Sequence, residues 1–168
     1  MRYFIALVLF AAIGFYACTK DVGMLPQAAT LSDSLLFSMA SKTTNQYCYK
    51  AANNVDSAWV SIAGSDHPSE KFVLRINKKA KDAMTDNGKL PNNGVYPDSS
   101  LLVKKFYSTF PGTVSQYAVM FKDNGSWRWA KYGANGEVLQ SFKASSSNCT
   151  NCHAVNTRDR VQIFDVNP

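Results

Sequence analysis

Apolar positions divide the chain into an N-terminal apolar run, a stretch with helical spacing and a longer stretch with strand-like alternation. Behind Met1 and Arg2, Tyr3 to Tyr16 form fourteen residues without a charge. That is too short to span a bilayer and the right length for the apolar region of a signal peptide. From Leu31 to Ala40, the residues Leu31, Leu35, Leu36 and Met39 recur at helical spacing, and Ser32 or Ser34 is placed to cap the start. Tyr47, Cys48, Ala51, Val55 and Trp59 continue an apolar stripe and extend the helical reading over residues 45–60. The loop from Gly64 to Pro68 ends it.

Beyond that loop the texture becomes strand-like. Phe72–Ile76 reads as a strand and Lys78–Met84 as a short helix or turn. Leu101–Tyr107, Gln116–Phe121, Trp127–Tyr132 and Val138–Phe142 are further strands. Asn87-Gly88, Asn93-Gly94, Pro111-Gly112, Asn124-Gly125 and Asn135-Gly136 punctuate them, and Asn-Gly is the favoured dipeptide of a tight hairpin. The expected class is α+β, mainly an antiparallel β-sheet with N-terminal helices.

The apolar N-terminus ends at Ala17-Cys18, and Thr19-Lys20-Asp21 turns polar at once. A small residue directly before a cysteine at the end of such a run resembles a bacterial lipobox. Residues 1–17 then form a lipoprotein-type signal peptide, and Cys18 is the lipidated first residue of the mature chain. Residues 18–30, with Gly23 and Pro26, form a tether, and 31–168 a single domain. A double acyl anchor holds a domain stably on a membrane, so the expected location is the periplasm or the cell surface. An ordinary cleaved signal with an incidental cysteine is the alternative.

Composition narrows the picture further. With 168 residues, 46% hydrophobic and 18% charged, the chain is neither a disordered tract nor a multidomain assembly. It lacks a dinucleotide fingerprint, a phosphate loop and sustained heptads. From Cys18 onward 17 basic residues (18 less Arg2) face 12 acidic ones, a net charge of +5. That charge is scattered, with no run longer than Lys78-Lys79 or Lys104-Lys105, which argues against a nucleic-acid partner.

The chemistry concentrates at Cys149-Thr150-Asn151-Cys152-His153. C-x-x-C-H is the attachment pattern of haem c: two thiols add to the porphyrin vinyls and the adjacent histidine ligates iron. A simple disulfide, a thioredoxin-type redox pair and half of a zinc site are the other readings of the two cysteines. Zinc wants four ligands, and the only other histidine is His67. Only 15 residues follow His153, so a sixth iron ligand must come from upstream. Met120, Met84, Met39 and His67 are the candidates. Met120 also suits a strand's core face, and His67 also suits an ordinary surface loop. Without such a ligand, the iron has an open face suited to small-ligand chemistry. Cys48 reads as a buried thiol or packing residue.

Three segments together resemble the cytochrome P-460 family. Tyr96-Pro97-Asp98-Ser99-Ser100-Leu101-Leu102-Val103-Lys104 is similar to its Y-P-D-G-[ST]-hydrophobic-V-K strand. Trp127-Arg128-Trp129-Ala130-Lys131-Tyr132 is similar to its central tryptophan strand. Asn148 to His153, followed by Arg158-Asp159-Arg160-Val161, is similar to its haem motif and tail. The likeness covers roughly residues 72–164.

The resemblance implies an antiparallel, usually homodimeric domain with a five-coordinate haem c on Cys149, Cys152 and His153. It also implies a redox partner protein and a small nitrogen ligand. Family members that join a strand lysine to the porphyrin oxidise hydroxylamine; those without that bond, the cytochromes c-prime-beta, bind nitric oxide. Lys104 stands at the cross-linking position and is the candidate catalytic residue. In a strand it shares a face with Leu102 and Phe106, whereas Lys105 shares the other with Val103 and Tyr107. Two solvated strand lysines are the plainer reading. The chain departs from the pattern with Ser99 in place of the usual glycine and with no carboxylate from Gln116 to Phe121. Phe72, Phe106 and Phe121 are aromatics available to cap a distal pocket, although each also suits the core. A six-coordinate electron carrier and a haem-free structural lipoprotein remain as rival readings.

Overall fold

The computed structural model describes residues 30–42, 46–51, 58–59, 67–68, 70–154, 158–161 and 166–167. The expected signal peptide, residues 1–17, and Cys18 lie outside them. The chain divides into two compact units, Met1–Leu31 and Ser32–Pro168, and the second holds every element below.

It begins with helix α1 (Asp33–Ser41). Ser32 caps it, its hydroxyl accepting from the Leu35 N–H at 3.1 Å, as the sequence allowed. Strands β1 (Gln46–Ala51), β2 (Ala58–Trp59) and β3 (Lys71–Asn77) follow, then helix α2 (Lys78–Ala83). Strands β4 (Leu101–Tyr107), β5 (Val114–Asp123), β6 (Ser126–Gly133) and β7 (Val138–Gln140) precede helix α3 (Ser147–His153) and β8 (Val166–Asn167). The sheet order is β7-β6-β5-β4-β3-β1-β8, with β2 also pairing β3. Every described pairing is antiparallel. The class is α+β.

One expectation is overturned. Within the helix expected over residues 45–60, the described residues 46–51 and 58–59 are strands instead. An apolar stripe at four-residue spacing also fits a strand, since four is a multiple of the strand period of two. Pairing decides between them, because Gln46 to Tyr49 lie opposite Asn77 to Leu74 on β3. The strand expected over 138–142 also stops early, at Gln140. There Ser141 and Phe142 turn to hydrogen-bond Asp33, the hydroxyl at 2.6 Å and the Phe142 N–H at 3.2 Å.

Local chemistry fixes the remaining joints. Asn124 and Gly125 have φ of 47° and 73°, the left-handed pair that an Asn-Gly hairpin between β5 and β6 requires. Asn77 ties three elements together. Its side-chain oxygen accepts from the Ala80 N–H at 3.0 Å and the Leu101 N–H at 3.1 Å, and its amide donates to the Ser99 carbonyl at 2.7 Å. Ser99, where the family pattern has glycine, adopts a φ of 67°. The turn that glycine favours is therefore kept, at a conformational cost a glycine would not bear.

Register sorts the strand residues onto two faces. The front carries Phe72, Leu74 and Ile76 of β3 opposite Phe106, Lys104 and Leu102 of β4. With α2, Met84, Leu90, Tyr96 and Val161 these build the main core. The back carries Val103, Tyr117, Val119 and Tyr132, all buried. Helix α1 covers part of it: Phe37 meets Tyr117 and Tyr132 edge-on, each at 5.7 Å between ring centroids. Tyr132 also donates to Asp33 at 3.0 Å. Among the described residues no helix is long and apolar enough to cross a membrane.

Candidate functional site

The front face carries a row of residues directly opposite one another across five strands: Leu74, Lys104, Ala118, Lys131 and Gln140. The neighbouring row is Ile76, Leu102, Met120 and Trp129. Register alone thus brings Lys104 and Lys131, 27 positions apart in sequence, to either side of one alanine. Helix α3 supplies the other side of the site. Of the three motif residues on it, Cys149 and His153 line the site, whereas Cys152 is exposed and is not among the lining residues.

A small cavity lies between them. Leu74, Leu102, Ala118, Met120, Trp129 and Val161 make its wall largely apolar, and His67, Lys104, Lys131, Cys149 and His153 bring their functional groups to it. No Asp or Glu is among the described residues lining it.

His153 is buried, and its Nδ1 lies 2.8 Å from the Arg160 carbonyl oxygen. A carbonyl only accepts, so Nδ1 carries the proton and Nε2 is left as the nitrogen able to bind a metal. The Trp129 ring, 4.7 Å away and tilted by 60°, fixes the imidazole from the side. Burial pushes its pKa below the ordinary histidine range, the Arg160 hydrogen bond opposes this, and the Lys104 charge adds to the lowering. A neutral imidazole at neutral pH follows, as metal ligation demands.

The Arg160 carbonyl is itself held by a braced tail. Asp159 and Arg160 have φ of 51° and 64°, a left-handed pair without glycine, strain that persists only where the surroundings over-determine it. The bracing is substantial. Lys122 is 3% exposed and donates to both Asp159 carboxylate oxygens at 2.9 Å. The Tyr96 N–H also donates to that carboxylate at 2.9 Å, and Trp127 Nε1 to the Asp159 carbonyl at 2.8 Å. Arg158 donates to the Leu90 carbonyl at 2.7 Å. Neither the Lys122–Asp159 pair nor the role of Trp129 is legible in the sequence, where they are charges and aromatics among others.

Of the two adjacent lysines, Lys104 is the one facing the cavity. Its Nζ lies 5.1 Å from the Phe72 ring centroid, and burial pushes its pKa down to about 8. Lys105 sits on the back face, near the Tyr107 and Tyr117 rings.

The upstream ligand candidates separate cleanly. Met120 and His67 line the cavity, His67 stacking at 5.5 Å on Phe106. Met84 belongs to the core cluster, and Met39 lies in α1, which packs against the back face. Phe72 and Phe106 are buried core residues packed on each other at 5.9 Å. Phe121 pairs with Leu101 on the back and does not cap the site. Cys48 lies opposite Arg75 in β1, and its side chain is outside the described residues.

Cys149 and Cys152 are thiols, not joined to each other; Cys149 is partly buried on the cavity wall and Cys152 is exposed. The Gln140 amide donates to the Cys149 sulfur at 3.5 Å. Among the described residues no three of His, Cys, Asp and Glu gather as an isolated metal ion would need. Haem iron asks for less, because the porphyrin itself supplies four ligands. The donor set therefore fits a haem: one oriented imidazole, two thiols on the same helix and an apolar cavity beside them. A comparison with protein-family models finds none that matches the chain, and a comparison with curated proteins finds no matching relative.

Proposed function

We propose that the chain is a lipid-anchored, single-haem c-type cytochrome of the periplasm or cell surface that resembles the cytochrome P-460 family. In this reading it binds or oxidises small nitrogen species such as nitric oxide or hydroxylamine. The observation that carries the proposal is the His153 imidazole, oriented by the Arg160 carbonyl inside a C-x-x-C-H helix, beside an apolar cavity that Lys104 also reaches.

Haem, when bound, supplies an iron that coordinates small nitrogen ligands and exchanges electrons with them. The chain's own residues do the rest. Cys149 and Cys152 would hold the haem by thioether bonds, and His153 would offer its neutral Nε2 to the iron. Leu74, Leu102 and Val161 keep water out. The Lys104 amine, neutral in about a tenth of molecules at pH 7 for a pKa near 8, is able to accept or return a proton at Nζ or to be joined to the macrocycle. Among the described residues of the lining there is no carboxylate to relay protons, which favours ligand binding unless Lys104 is so joined.

A six-coordinate electron carrier is the second reading, favoured by Met120 and His67 on the cavity wall. The ferrous absorption spectrum of protein matured with haem-attachment machinery separates the two. The expected result is a high-spin spectrum that changes on adding nitric oxide. A low-spin spectrum indifferent to nitric oxide assigns the carrier role instead.

A further inference from the structure

The rows of the front face follow one another along the strands, and each packs against a different part of the chain. Lys122 and Trp127 face each other at one end, and both bond Asp159 of the tail. Next comes the row of Leu102, Met120 and Trp129, with the His153 ring on Trp129. The cavity row of Lys104, Ala118 and Lys131 follows, and Gln140 at its end contacts Cys149. The last row is Phe72, Phe106, Gln116 and Gly133. There the His67 ring stacks on Phe106, with centroids 5.5 Å apart and planes inclined by 28°. His67 precedes β3 in the chain and is itself part of the cavity lining. The chain's two histidines therefore flank the cavity row from either side.

We propose that His67 is the ligand-contacting residue of this site, standing across the cavity from His153 and donating a hydrogen bond to the small molecule held between them, without binding the metal itself. The inference rests on the haem reading and extends it to the side where the ligand sits. Nδ1 of His153 is committed to the Arg160 carbonyl, on the tail, so Nε2 looks away from the tail toward the cavity row. A flat group ligated there turns its free face to the Phe106 row. Among the described lining residues, His67 is the one on that side, whereas Met120 stands beside Trp129 on the His153 side. The Trp129 and Phe106 rows are four residues apart, about 13 Å along the strands. Two metal–imidazole bonds of about 2 Å each fall well short of that span. The remainder accommodates a ligand of a few atoms and one hydrogen bond of about 2.9 Å. A neutral imidazole has one N–H to give, and stacking on Phe106 holds the plane of the ring that gives it. The site thereby favours ligands whose outer atom accepts a hydrogen bond, as the oxygens of small nitrogen oxides do.

The test uses the full chain, matured with haem-attachment machinery and held in detergent. One readout is the C–O stretching band of the ferrous protein with carbon monoxide, which moves to lower frequency when a donor touches the outer oxygen. The other is the affinity of the ferric protein for nitrite. His67→Phe removes the donor and keeps the stacking on Phe106; His67→Gln keeps an N–H. Because His67 is only partly buried, both variants are expected to fold and to take up haem. His67→Phe is expected to raise the C–O frequency and to weaken nitrite binding by roughly threefold to tenfold, the worth of one ordinary hydrogen bond. His67→Gln is expected to stay near the wild type in both. If His67→Phe leaves both readouts unchanged, the His67 assignment is overturned and the haem reading stands. A wild-type iron that is low-spin before any ligand is added, and high-spin in His67→Phe, overturns the assignment in favour of His67 as a sixth ligand. If the protein is colourless, both readings fall together.

Discussion

Asp159→Ala is expected to destabilise the protein by about 3–5 kcal/mol, the usual cost of removing one partner from a buried ion pair. It leaves the Lys122 ammonium, 3% exposed, without its carboxylate. It also deprives the Tyr96 N–H of its acceptor and loosens two left-handed residues that hold their shape only while braced. Replacing both charges, as Lys122→Met with Asp159→Ala, is expected to recover much of the loss, because no bare charge then remains. Denaturant unfolding of the two variants measures both quantities. A loss under about 1 kcal/mol for Asp159→Ala would show that water screens the pair, as it does on an open surface. The tail would then not be the brace described above.

Lys104→Met is expected to act in the opposite direction, stabilising the haem-free chain by about 2–3 kcal/mol at neutral pH. Burial holds this ammonium near a pKa of 8 against an ordinary 10.5, and each unit of difference is worth about 1.4 kcal/mol before allowance for partial exposure. Between pH 8 and 10.5 the unfolded chain binds the proton that the folded chain has released, so the wild type gains stability as pH rises. Below pH 8 the penalty is present in full, and above 10.5 it is gone. The advantage of methionine is therefore largest at pH 7 and fades across that window. Unfolding free energies of both chains at pH 7 and at pH 10.5 check it. No gain at pH 7, or the same gain at both, would show that Lys104 is well solvated.

The parts of this site differed in how far the sequence disclosed them. Strand β4 is legible to the residue because Leu101–Tyr107 is rich in β-formers and bounded by turn residues. The β5–β6 hairpin is legible because Asn124-Gly125 specifies its own turn. Cys149, Cys152 and His153 announce themselves by spacing. Residues 46–51 misled because a four-residue apolar spacing satisfies helix and strand alike, and the partner that settles it, β3, lies some 25 residues downstream. The face that Lys104 presents depends on how β4 is packed, which neighbours in sequence do not reveal. The row that joins Lys104 to Lys131, and the carbonyl that orients His153, exist only once strands are in register and the tail is folded back. Pairings across 37 positions, as between Lys122 and Asp159, leave no local trace.

The central claim is that haem is covalently held at Cys149 and Cys152. The most direct measurement is the mass of the peptide containing both cysteines, after proteolysis of protein matured with haem-attachment machinery. The account predicts that this peptide carries the mass of one haem; if the Lys104 peptide travels with it, the lysine is joined to the macrocycle and hydroxylamine oxidation becomes the leading activity. The same peptide recovered from colourless protein with two thiols, or with a Cys149–Cys152 disulfide, would contradict it.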